Sequence, residues 1–222
     1  MTENPKVPTH PNKQLGISIR AHHHPEQLER CLLSVVAADK GFSVPILITD
    51  DTDDFTYQAV IEKINRHYPF VINYKNPRRL DLGHNVLNAA TKCITEYCWL
   101  FGEHDRMESE ALADVLRALQ EVAEPPPFLF VNYRFADANI SRVLCERVLL
   151  THKVLCINFD IFFEHYGWAM DFIGSCVFQR QLLTFVELQR KFRHRSIEDI
   201  APLSIEDSSK AVPSYNIARK AL

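Results

Sequence analysis

Glycine is scarce in this 222-residue chain, six in all, and none forms a Gly-rich loop after the first strand-like segment. A P-loop or a dinucleotide-binding turn uses glycines to bring backbone N–H groups against phosphate, so neither is expected. Long apolar runs are also lacking: the longest are short and broken by charge, far from the roughly 20 residues a membrane helix needs. A net charge of −3 leaves no broad basic surface for nucleic acid. Cysteines number six (Cys31, Cys93, Cys98, Cys145, Cys156 and Cys176), scattered and without a CxxC pair. That excludes a disulfide scaffold and reads as buried thiols of a reducing cytoplasm. Residues Met1 to Gln14 are polar and lack the apolar segment of a secretory signal.

What is present is an ordinary globular balance, 46% hydrophobic and 24% charged, with chain enough for one domain and a real core. Ile17 to Ile19 reads as a strand. A helix opening near Pro25 follows, in which Leu28, Cys31, Leu32, Val35 and Val36 form one apolar stripe. Val44 to Ile48 is a second strand, and Tyr57, Val60, Ile61 and Ile64 supply a second helical stripe. Phe70 to Tyr74, then Val86, Leu87, Ala90 and Ile94, give a third strand and helix. Tyr97 to Phe101 is apolar without alternation, as in a strand covered on both faces, and Leu112 to Val122 is the next helix, stopped by Pro125 to Pro127. Phe128 to Val131 is the fifth strand. The alternation predicts an α/β fold with an open, mostly parallel sheet flanked by helices, and it stops too early for an α/β barrel. Further on, a helix is expected over 158–165, a strand over 172–178 and a helix over 181–192, and the residues from 193 onward read as a loose polar tail.

Ligands of open α/β sheets bind beyond the carboxyl ends of the strands, so polar residues there outrank those on helix faces. Two clusters qualify, Asp50 to Asp54 and Glu103-His104-Asp105. In an extended segment Glu103 and Asp105 point the same way and can share a hard divalent cation, with His104 facing elsewhere. The plain alternatives are an acidic turn that caps a helix and a solvated loop ahead of one. His22-His23-His24 follows the first strand, but with no second ligand set nearby in sequence it reads as a loop at the substrate's edge. Arg78-Arg79 reads as a solvated basic pair.

The ordered set Ile17-Ser18-Ile19-Arg20, Pro25, Leu28, Cys31-Leu32, Ser34, Ile48-Thr49-Asp50-Asp51, Asn76, Leu82-Gly83, Asn88 and Glu96 through Asp105 resembles a family 2 glycosyltransferase of GT-A fold, and its abequosyltransferase-like branch in particular. The segment Phe172 to Arg180 is similar to the acceptor-side strand of that family. Between the polar leader (1–14) and the polar C-terminal tail (193–222), the resemblance implies a nucleotide-sugar-binding α/β region (15–125) and an acceptor-side region of the same domain (126–192). It implies a nucleotide site at Asp50, Asp51, Arg20, Gly83 and Asn88, with Asp50 on the base or ribose. It also implies Mn²⁺ or Mg²⁺ at Glu103 and Asp105, where the family's Asp-x-Asp reads Glu-His-Asp. Transfer would run from a nucleotide-diphosphate donor to a saccharide or other hydroxyl acceptor, inverting, with Asp199, Asp171 or Glu198 as general base. A nucleotide-sugar-binding protein that has lost turnover is the alternative.

Overall fold

The computed structural model describes residues 10–121, 126–137, 143–146, 154–158, 164, 172–182 and 215–219. Four β-α units open the chain: β1 (Leu15–Ala21), α1 (Pro25–Ala38), β2 (Ile46–Asp50), α2 (Gln58–Asn65), β3 (Val71–Lys75), α3 (Leu82–Lys92), β4 (Tyr97–Gly102) and α4 (Ala111–Glu121). The strands β5 (Phe128–Val131), β6 (Arg134–Ala136), β7 (Val143–Glu146), β8 (Val154–Asn158), β9 (Cys176–Gln179) and β10 (Tyr215–Arg219) follow. Eight strands form one sheet in the order β3-β2-β1-β4-β9-β5-β10-β8, while β6 and β7 pair separately. The first four are mutually parallel, and β9 runs antiparallel between β4 and β5.

Period-two alternation in β1 divides the molecule. Leu15, Ile17, Ile19 and Ala21 enter the larger core with the buried stripes of α1, α2 and α4. Gly16 and Ser18 face α3, where a smaller cluster joins Ala89, Ala90, Cys93, Cys98 and Leu100. Small residues let α3 sit close: the Ser18 hydroxyl donates to the Ala89 carbonyl at 2.5 Å. A Cβ on Gly16 would lie 2.5 Å from Thr95 Oγ1, itself held by the Tyr97 carbonyl. Gly16→Ala is therefore expected to lower unfolding stability by about 1–3 kcal/mol, an overpacking cost readable in urea titration.

Three expectations differ from the fold. Ile94 belongs to no helix face, since α3 ends at Lys92 and Ile94 is exposed. The segment 172–178 is not all strand. It begins as a 3-10 turn (Ile173–Ser175) in which Ser175 N and Oγ both donate to the Phe172 carbonyl, and Trp99 Nε1 donates to the Gly174 carbonyl at 2.8 Å. Within the expected tail, β10 lies in the sheet, parallel to β5 and antiparallel to β8. The helices expected over 158–165 and 181–192 fall largely outside the described residues, as does Val122 of the α4 stripe.

Candidate active site

From β1 the chain adds β2 and β3 on one side, then returns by α3 to place β4 on the other. The order of strand addition thus reverses between β1 and β4, and the crevice outside such a reversal is where α/β sheets bind ligands. Register brings the carboxyl ends together: Ala21 lies opposite Asp50, Asp50 opposite Lys75, and Arg20 opposite both Thr49 and Gly102. Asp50, Asp51, Arg20 and Glu103 therefore converge on one edge, although more than 80 residues separate Arg20 from Glu103 in sequence.

The acidic turn after β2 is internally braced. Asp50 Oδ1 accepts from Thr52 N (2.9 Å) and Thr52 Oγ1 (2.6 Å), and Lys75 Nζ reaches Oδ2 at 3.3 Å. Asp51 Oδ1 accepts from Leu80 N (2.8 Å) and Asn76 Nδ2 (3.2 Å), tying the loop ahead of α3 to β2. Asn88 Nδ2 donates to Asn76 Oδ1 at 2.5 Å, and Asn76 Nδ2 is also 3.3 Å from Asn85 Oδ1. Donors remain over: among the described residues Arg20 Nε, Asn85 Nδ2 and His22 Nδ1 are buried without a hydrogen bond, His22 Nδ1 lying 3.9 Å from Asp51 Oδ2, a costly condition that a polar ligand would relieve. Arg79, read as solvated, reaches His22 Nε2 at 3.1 Å. Gly83 is exposed at the start of α3, and an added Cβ would meet nothing nearer than 3.6 Å. Asp171, Glu198 and Asp199 lie outside the described residues.

At the end of β4 the triplet divides otherwise than expected. Glu103 is 1% exposed, and its Oε2 accepts from Tyr57 Oη at 2.6 Å. Asp105 does not join it, for its Oδ2 turns back to accept from Gly102 N at 2.7 Å. His104 does not face elsewhere: its Nε2 is 3.8 Å from Glu103 Oε1, and its ring lies 4.8 Å from that of His24. A Mg²⁺ or Mn²⁺ shared by the two carboxylates would therefore need Asp105 Oδ1, or release of Oδ2 from Gly102 N, beside Glu103. Instead, one ligand atom from each of His24, Glu103 and His104 falls within 4.8 Å of the others. The His loop after β1 accordingly lies beside Glu103 and His104, which follow β4.

Burial holds the Asp105 carboxyl up at about 6 against an ordinary 3.8, outweighing the Gly102 N–H and the charges of Arg106 and Arg20 that pull it down. The native state therefore takes up this proton at higher pH than the unfolded chain. Its contribution to stability is full below about pH 4 and is lost as pH rises through about 6. A difference of about two in pKa corresponds to at most about 3 kcal/mol. Asp105→Asn should remove this part of the pH dependence, and urea titrations of both proteins at pH 4.5 and 7.5 would measure it.

Two features escaped the sequence reading. Tyr57 has the spacing of a core stripe, and its ring is fully buried, yet its hydroxyl grips Glu103 and accepts from His24 N at 3.0 Å. Beside the crevice opens a cleft of about 440 Å³, lined by His104, Asp105, Tyr133, Phe135 and Phe172 among others. Tyr133 packs on both Phe135 and Phe172.

Relatives carry the same frame. The chain is 26% identical over 112 residues to the abequosyltransferase RfbV of Salmonella typhimurium, covering 50% of this chain and 34% of that protein. Its fold is similar to that of S. aureus TarS 1-349 in complex with UDP-GlcNAc, with a TM-score of 0.61 at 14% identity, covering 78% of this chain and 47% of that one. TarS in complex with UDP gives 0.60 at the same identity, with 49% of that chain covered. The chain thus spans about a third of the abequosyltransferase and about half of the solved TarS chain. The solved structures share the GT-A frame, and residues 17–183, well over half of the chain, match the glycosyl transferase family 2 profile, so the chain belongs to that family.

Proposed function

We propose that the chain binds a nucleoside-diphosphate sugar in the crevice between β1 and β4 and transfers the sugar, with inversion, to a hydroxyl acceptor in the adjoining cleft. The observation that carries this is the buried acidic edge at the reversal of strand order, Asp50 and Asp51 on one side and Glu103 on the other, with Arg20 Nε and Asn85 Nδ2 buried beside it without a hydrogen bond among the described residues. In the proposed step the acceptor oxygen bonds to the anomeric carbon, the bond to the diphosphate oxygen breaks, and the acceptor proton passes to a carboxylate base. Asp171, Glu198 and Asp199 are the candidates for that base on the strength of the family resemblance. Asp50 takes the base or ribose, Asp51, Arg20, Asn88 and Gly83 complete the nucleotide side, and residues 15–125 and 126–192 serve donor and acceptor respectively.

The aromatic lining of the cleft suits a saccharide, whose C–H faces pack on rings. A cytoplasmic setting agrees with the free thiols of Cys31, Cys93, Cys98 and Cys176. Among the described residues no helix is long and apolar enough to cross a membrane. A second reading, nucleotide-sugar binding without turnover, is favoured by one observation: Asp105 serves Gly102 N instead of joining Glu103. Incubation with a panel of sugar nucleotides and hydroxyl acceptors separates the two, since the enzyme releases nucleoside diphosphate and forms a product of inverted anomeric configuration. Saturable binding with no such release would establish the second reading instead.

A further inference from the structure

We infer that His24, Glu103 and His104 form a binding site for a borderline divalent metal ion of the zinc type, in place of a hard-cation site built from two carboxylates. Among the described residues they are the group of His, Cys, Asp and Glu side chains whose ligand atoms converge in this way. Two imidazole nitrogens and one carboxylate oxygen suit zinc and its neighbours, whereas Mg²⁺ demands oxygen ligands and gives up water reluctantly. Atoms bound to one zinc ion at about 2.0–2.2 Å lie no more than about 4.4 Å apart. Glu103 Oε1 and His104 Nε2 already meet that limit at 3.8 Å. The rest of the closure falls to His24 and His104, both exposed, with ring centroids 4.8 Å apart.

The supporting shell is in place as well. Glu103 presents two oxygens, and Tyr57 Oη occupies Oε2, leaving Oε1 toward His104. The same phenol oxygen accepts from His24 N, so one fully buried ring fixes both the carboxylate and the loop that carries the first histidine. Parallel pairing of β1 with β4, with Arg20 opposite Gly102, sets the two loops side by side. Three protein ligands leave a position of a four-coordinate ion open to an outside oxygen. That this oxygen belongs to a diphosphate rests on the glycosyltransferase reading, whereas the metal site itself does not.

The test uses the full chain, stripped of metal, with Zn²⁺ and Mg²⁺ as probes in calorimetry and chelator competition, and no nucleotide. One equivalent of zinc should bind, at least about 100-fold tighter than Mg²⁺. His24→Ala and His104→Ala, both at exposed positions, should each weaken zinc by at least about 100-fold, beyond the 10- to 100-fold typical of losing a supporting group, and Tyr57→Phe should fall within that smaller range. His23→Ala and Asp105→Asn should leave the affinity unchanged. Zinc binding that survives both histidine substitutions, or that is lost in Asp105→Asn, would overturn the site, as would failure of the wild-type chain to bind zinc. A separate titration with nucleoside diphosphate distinguishes the two readings. Zinc bound without any nucleotide response upholds the site and removes the glycosyltransferase reading, and the reverse pattern removes the site alone.

Discussion

Asp50→Ala is expected to weaken nucleoside-diphosphate binding by about 10- to 100-fold in a chain that still unfolds cooperatively. The carboxylate ends β2 at the crevice, and its Oδ1 is committed to Thr52 while Oδ2, among the described residues, has only Lys75 at 3.3 Å. Acceptor capacity therefore remains for a ribose hydroxyl or a base N–H, and a hydrogen bond to a charged group is worth about 1.5–3 kcal/mol. The structural loss is smaller. Lys75 is partly exposed, so its ion pair contributes little, and Thr52 keeps the Asp54 carbonyl as an acceptor for its hydroxyl. Calorimetry on the folded variant decides: unchanged affinity would remove Asp50 from the nucleotide site.

Glu103→Gln should have the largest effect on turnover. A carboxylate this deeply buried at a strand end gives little stability, because desolvation offsets what its contacts return. The glutamine carbonyl can still accept from Tyr57, so the melting temperature is expected to shift by no more than a few degrees. Charge at the crevice is what disappears. Loss of one preorganised electrostatic group at a reacting centre costs about 10²–10³ in kcat, and that is the fall expected in sugar transfer. A variant that turns over like the parent would take Glu103 out of the chemistry, whereas one that fails to fold would make its role structural.

The β-α alternation is legible because each stripe keeps one period and each strand is apolar, so β1 through β5 and their helices follow from Leu28, Ile61, Leu112 and their neighbours. The acidic strand ends are legible too, since a carboxylate just after an apolar run has few places to lie except the sheet edge. Partnership across the sheet is harder to read. His24 and His104 are 80 positions apart, and only the order β2-β1-β4 makes their loops neighbours. That order could have been drawn from the family resemblance, after which the two histidine-bearing loops would have been seen to adjoin. Tyr57 was hidden by its own spacing, because a phenol in an apolar stripe looks like core until its hydroxyl finds a buried acceptor. The turn of Asp105 toward Gly102 N is a local competition that period-two reasoning ignores: a carboxylate three residues past a strand can bond back to the strand's last N–H. Strand β10 left no mark, since five residues of mixed polarity carry no period strong enough to register.

The most direct measurement is a calorimetric titration of the wild-type chain with nucleoside diphosphates and their sugar conjugates, each repeated with Asp50→Ala. The crevice predicts one nucleotide per chain, with binding weakened about 10- to 100-fold in the variant. Absence of binding across the panel, or binding that Asp50→Ala leaves untouched, would contradict a nucleotide-sugar site at the junction of β1 and β4.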